Sequence, residues 1–192
     1  EVSPSNVTVG GNVIIHAEVV SSTMDTLALE YLDGNIMFVD SAFVDGVMVD
    51  LEHTNDHIYM YLPTSLNQGD DFVVQVYYHG TPTSGGFFAG VTNGHSNTWN
   101  KDVTFTLSEP YSARDWFPVK QVLPDKADSC WVFVTCDEEY TVGSQGILTA
   151  VTPMPDNKLR YEWKSKYPID YYLISFAVSD YLEYNIYAKP DE

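Results

Sequence analysis

Positive charge is missing from the first half of the chain. No lysine or arginine precedes Lys101, although twelve aspartates and glutamates do. All nine basic residues lie in 101–192 beside fifteen acidic ones, and the formal net charge is −18. A surface this acidic repels phosphate backbones and anionic lipid, which excludes nucleic acid and membrane surfaces as partners. It favours solubility and draws cationic ligands, such as peptide N-termini. Long apolar runs are also missing, and nothing approaches the roughly 18 residues that span a bilayer. No secretory apolar region opens the chain, so any export signal is expected to have been removed. Cysteine is scarce, with only Cys130 and Cys136. They flank an alternating run, Trp131 to Thr135, and six residues of strand separate them by roughly 20 Å. A disulfide needs Cα atoms within about 7 Å. The two are therefore expected to stay free thiols on one face with Val132 and Val134, as small buried apolar groups.

Helical periodicity is nearly absent. The 192 residues, 44% hydrophobic and 19% charged, suffice for a sizeable core. Period-two alternation runs through 12–20, 26–32, 35–41, 42–44, 47–51, 57–62 and 72–79, then 103–107, 129–136, 140–149, 159–166 and 171–179, with a last strand expected over Leu182–Tyr187. Asp45-Gly46 has the chemistry of a type I′ hairpin turn, in which both central residues take φ > 0. Residues 80–100 break the pattern with Gly80, Pro82, Gly85, Gly86, Gly90 and Gly94. They predict a long loop and the most mobile internal segment. Only 112–116 and 125–127 could hold a helical turn. These features predict an all-β fold of about a dozen strands, a sandwich or saddle-like double sheet.

Familiar catalytic motifs are lacking as well. His53 and His57 have the i, i+4 spacing of a helical zinc pair, but no glutamate general base lies between them. Asn55-Asp56 sits between two alternating strands, which predicts a hairpin instead. His16, His79 and His95 are scattered. There is no nucleophile elbow, no phosphate-cradling loop and no Cys-Xaa-Xaa-Cys. Asn6-Val7-Thr8 is the one glycosylation sequon. The 14% aromatic content, with 14 tyrosines, suits sugar stacking but suits a β core better.

The stretch from Thr106 to Pro118 breaks the alternation and gathers Glu109, Arg114, Asp115 and Trp116 into one turn-rich segment. Glu109-Pro110-Xaa-Xaa-Ala113-Arg114-Xaa-Xaa-Phe117-Pro118 resembles the signature of the N-terminal domain of aminopeptidase N–type gluzincins, zinc metallopeptidases. The Arg-Asp-Trp variant is similar to secreted members from Bacteroidetes-like bacteria. Other segments resemble the family in the same order. They are Val44-Asp45-Gly46, Leu51 to Ile58, Leu66 to Asp70 with Val76 to Gly80, and Pro168 to Tyr181. The likeness covers nearly the whole chain, although Glu1-Val2-Ser3-Pro4 resembles only the tail of the family's first strand. Val119 stands where the signature has Cys, Gln121-Val122-Leu123 where it has Asp-Xaa-Pro, and Ser179 where Gly is usual.

The zinc-binding His-Glu-Xaa-Xaa-His and the Gly-Xaa-Met-Glu-Asn motif of the family occur nowhere here. The resemblance therefore implies that residues 1–192 form one N-terminal, non-catalytic β domain, extracellular or periplasmic. The catalytic domain, expected after residue 192, would hold the zinc. This fragment would carry no metal ligand and no activity of its own. The resemblance also implies a cap over the active-site cleft in which Glu109 anchors the α-ammonium of a peptide substrate, while Arg114 braces the loop. Two alternatives stand beside this. Glu109 could be a loop carboxylate paired with Arg114. The whole chain could be a non-catalytic carbohydrate-binding or adhesion module that uses exposed aromatics and the 80–100 segment.

Overall fold

A computed structural model of the chain describes residues 1–4, 7–34, 36–82 and 90–188. In chain order the strands are β1 Val9–Glu18, β2 Thr23–Glu30, β3 Met37–Val44, β4 Val47–Met48, β5 Asp50–Thr54, β6 His57–Asn67, β7 Asp71–Gly80, β8 Val91–Ser96, β9 Lys101–Thr106, β10 Cys130–Asp137, β11 Thr141–Ser144, β12 Ile147–Met154, β13 Lys158–Ser165 and β14 Phe176–Ser179. They form four sheets, ordered β1-β7-β3-β4, β2-β6-β5, β11-β14-β9-β8 and β10-β13-β12. Every ladder is antiparallel. The all-β expectation is borne out, and short 3-10 turns at Ala113–Asp115 and Tyr171–Leu173 are the helical elements among the described residues.

Alternation becomes burial as the pleat requires. β7 buries Phe72, Val74, Val76 and Tyr78 and turns Gln75, Tyr77 and His79 outward. Leu29 of β2 and Ile58 and Met60 of β6 are buried in the same apolar cluster. Each such side chain contributes on the order of 1.5–3 kcal/mol. One apolar cluster runs on through Val134, Val142, Phe176 and Val178 to Trp116 and Phe117, so the irregular segment after β9 is part of the core.

The turn chemistry holds. Asp45 and Gly46 take φ of 49° and 79° between β3 and β4, and Asn55 and Asp56 take 51° and 59° between β5 and β6. The pair His53 and His57 therefore lies on a hairpin. On β10, Val134 and Cys136 are buried with Val132 and Cys130 half-buried on the same side, and both cysteines are free. Burial pushes the Cys136 thiol up to about 11.

Several boundaries differ from the alternation. Residues 80–100 are not one loop, because β8 pairs with β9 from Val91↔Thr106 to Ser96↔Lys101. Residues 83–89, on which the expected mobility also rests, fall outside the described residues. The run 47–51 switches partners at buried Val49. β4 pairs with β3, whereas β5 pairs with β6.

The run 140–149 is two strands in two sheets, broken at Gln145-Gly146. Gly146 has φ of +91°, and a Cβ there would sit 2.3 Å from the Lys164 carbonyl, so only glycine turns this corner. The run 171–179 begins as the 3-10 turn and only then becomes β14. Residues 125–127 hold no helical turn; Ala127 instead forms an isolated bridge with Ile169. Leu182–Tyr187 is not a strand. Its alternation is intact, but no strand among the described residues lies beside it to complete a ladder.

Candidate functional site

The signature segment leaves β9 and crosses to β10 with the 3-10 turn Ala113–Asp115 as its one regular piece, and hydrogen bonds fasten its backbone at many points. Ser108 is 2% exposed. Its Oγ accepts the indole N–H of Trp116 at 3.0 Å, and its carbonyl accepts the Ser112 N–H at 2.9 Å. The Trp116 ring packs against Phe117 and Phe176, with centroids 4.4 and 5.3 Å away. The Tyr171 hydroxyl donates to the Pro110 carbonyl at 2.8 Å. Val119 exchanges backbone bonds with Glu30 at 2.7 and 3.0 Å, an isolated bridge to the end of β2. Gly90 abuts the far side, where a Cβ would lie 2.7 Å from the Asp115 Cβ. Burial raises the Asp115 carboxyl above the usual carboxylate range, opposed by a hydrogen bond from Ser112 and by the Arg114 charge.

Glu109 stands apart from this fastening. It follows buried Ser108, precedes Pro110 across a cis peptide bond, and is exposed beside exposed Tyr111. Among the described residues no hydrogen bond or ion pair engages its carboxylate. Arg114 does not pair with it. The guanidinium reaches Asp56 at 3.4 Å and Glu30 at 3.9 Å. The Arg114 backbone is held too, its N–H donating to Gln121 Oε1 at 3.3 Å and its carbonyl accepting the Leu32 N–H at 2.9 Å. The Gln121 amide donates in turn to Glu30 Oε2 at 2.8 Å.

Glu30, Asp56, Gln121, Tyr171 and Ser108 carry this arrangement, and the sequence marks none of them as a site residue. Only the Asn55-Asp56 turn left a local signal. Its contact with Arg114 joins positions 58 residues apart and leaves none.

The other candidates are spent on the fold. His53 Nε2 donates to the Tyr31 carbonyl at 3.0 Å while its ring stacks on Tyr31, and His57 Nδ1 donates to the Asn55 carbonyl at 2.8 Å. No group of three or more His, Cys, Asp or Glu side chains among the described residues could hold a metal ion. The outward aromatics Trp131 and Phe133 are covered in part by the Lys164 ammonium, 4.9 and 5.5 Å from their ring centroids.

The sequence matches the peptidase M1 N-terminal domain family over residues 1–173. The chain belongs to that family. No curated protein matches it by sequence. Among solved structures it is similar to an M1 zinc metallopeptidase from Deinococcus radiodurans, with 22% identity, a TM-score of 0.76, and coverage of 91% of this chain and 38% of that one. A mutant of the Deinococcus radiodurans enzyme, bound to a Tyr-Ser-Ala substrate, matches at 21% identity and the same TM-score, over 91% of this chain and 39% of that one. A two-domain M1 zinc metallopeptidase mutant bound to L-arginine matches at 22% identity, TM-score 0.76, with coverage of 91% and 39%. At these identities the likeness is one of fold. The M1 N-terminal domain described here spans less than two-fifths of the length of the structures it matches.

Proposed function

We propose that this M1 N-terminal domain caps the active-site cleft of a zinc aminopeptidase and that Glu109 anchors the α-ammonium of the peptide substrate. The observation that carries the reading is the contrast within one loop: a backbone hydrogen-bonded at Ser108, Pro110, Ser112 and Arg114, and a single exposed carboxylate that no other described residue engages. An ammonium entering a partly desolvated cleft needs such a group. A charge-assisted hydrogen bond there contributes on the order of 1.5–3 kcal/mol. A fixed anchor would set the first peptide bond at a constant distance from the reacting centre, which makes the enzyme an exopeptidase. Arg114 supports the loop and does not touch substrate.

Zinc, as the hydrolytic metal, would activate water and polarise the scissile carbonyl. The described residues of this chain do not fit it, because no group of three or more His, Cys, Asp or Glu side chains among them could hold a metal ion. The ligands would come from the catalytic domain of the longer polypeptide.

The test is kinetic, in the full-length polypeptide that carries this domain. Glu109→Ala is expected to lower kcat/KM for unblocked peptides by about ten- to a hundredfold, with zinc content unchanged. The loss should be much smaller for N-acetylated peptides, which offer no ammonium. An equal loss on blocked and unblocked substrates would sink the anchoring role.

A further inference from the structure

We infer that the tip of the β5–β6 hairpin sets the position of the Glu109 loop, with Asp56 as a positioning residue acting through Arg114. This deepens the reading of Glu109 as the amine anchor and rests on it. Asp56 occupies the left-handed turn with φ of 59°, and each of its polar groups is engaged. Oδ1 accepts the Asp33 N–H at 3.0 Å, and the Asp56 N–H donates to Asp33 Oδ2 at 3.1 Å. Its carbonyl accepts the Tyr31 N–H at 3.0 Å, and Oδ2 meets the Arg114 guanidinium at 3.4 Å. The hairpin tip, the exit of β2 over Tyr31–Asp33, and Arg114 therefore form one block.

Glu109 lies five residues before Arg114. Buried Ala113 and the bond from the Ser112 N–H to the Ser108 carbonyl at 2.9 Å transmit the position of the block to it.

Energetics separate positioning from stability. Arg114 and Asp56 are each about a third exposed, at 32% and 29%, so the pair contributes little to folding. A shift of about 1 Å in a group that must meet its ligand can still cost on the order of a hundredfold in rate. Asp56→Asn keeps an acceptor for the Asp33 N–H and removes the negative charge facing Arg114, so it loosens the link without opening the turn.

The experiment compares Asp56→Asn, Glu109→Ala and the double variant in the full-length polypeptide, on an unblocked peptide and its N-acetylated form. Asp56→Asn is expected to lower kcat/KM for the unblocked peptide about three- to tenfold and to leave the acetylated peptide unaffected. It should cost nothing further in the Glu109→Ala background. Should Asp56→Asn fold poorly, Glu30→Gln weakens the other arm of the bridge and should lower kcat/KM for the unblocked peptide by less. Wild-type kinetics for both link variants beside an impaired Glu109→Ala would overturn the positioning role and leave the anchor standing. So would an equal loss on blocked and unblocked peptides. An unimpaired Glu109→Ala would sink the anchor and the inference with it.

Discussion

Residues 108–119 and residues 182–188 both lack a strand ladder, and they behave in opposite ways. The first segment has an irregular sequence, but its indole–hydroxyl bond closes it on itself, and Val119, Arg114 and Pro110 tie it to β2, the β5–β6 hairpin and the Tyr171 turn. The second has the cleaner strand pattern. Yet Leu182, Tyr184 and Ile186 are 94%, 84% and 80% exposed, and no backbone hydrogen bond involves residues 182–188 among those described. Partners for N–H and C=O groups decide order, and alternation alone does not supply them.

Removing the fastenings should loosen the first segment. In the isolated domain Trp116→Ala should have the largest effect, about 3–5 kcal/mol, because it empties a buried site and orphans the Ser108 hydroxyl. Urea unfolding measures it, and a loss below about 1 kcal/mol would mean that the loop does not belong to the core. Gly90→Ala drives a methyl into the Asp115 side chain and should cost about 1–3 kcal/mol by the same measurement. On the other side of the comparison, Leu182→Ser or Ile186→Ser should change stability by no more than about 0.5 kcal/mol. Amide exchange sharpens the contrast. The Leu32, Ser112 and Val119 amides should be protected, and those of 182–188 should exchange close to the unfolded rate.

Asp115 offers the smallest effect. A carboxyl whose folded value is raised stabilises the fold fully below its unfolded value, near 3.9, and that contribution is lost as pH rises through the higher folded value. Asp115→Asn should flatten this decline. A parallel pH profile for variant and wild type, from urea midpoints at pH 4 and pH 7, would contradict it.

Much of the fold was legible because it depends on local rules. The alternation of 57–62 puts Ile58 and Met60 on one face, which is the buried one, and turn chemistry placed Asp45-Gly46 and Asn55-Asp56. What escaped depends on distant neighbours. Nothing local marks Gly146 as a corner, since the reason is the Lys164 carbonyl of another strand. β8 was hidden because Asn93 and Gly94 are poor strand formers that β9 nevertheless pairs. In the site, Glu109 and Arg114 were found through their motif. The partners of Arg114 were not, because ion pairs across 58 and 84 positions leave no trace in spacing.

On this reading the hydrogen-bonded loop presents one carboxylate, that of Glu109, to an incoming ammonium. The most direct measurement is a crystal structure of the full-length polypeptide with an amino acid bound in its cleft. A Glu109 carboxylate oxygen is expected within about 3 Å of the α-nitrogen, with Arg114 still on Asp56 and Glu30. A Glu109 turned away from the amine, or folded back onto Arg114, would contradict it.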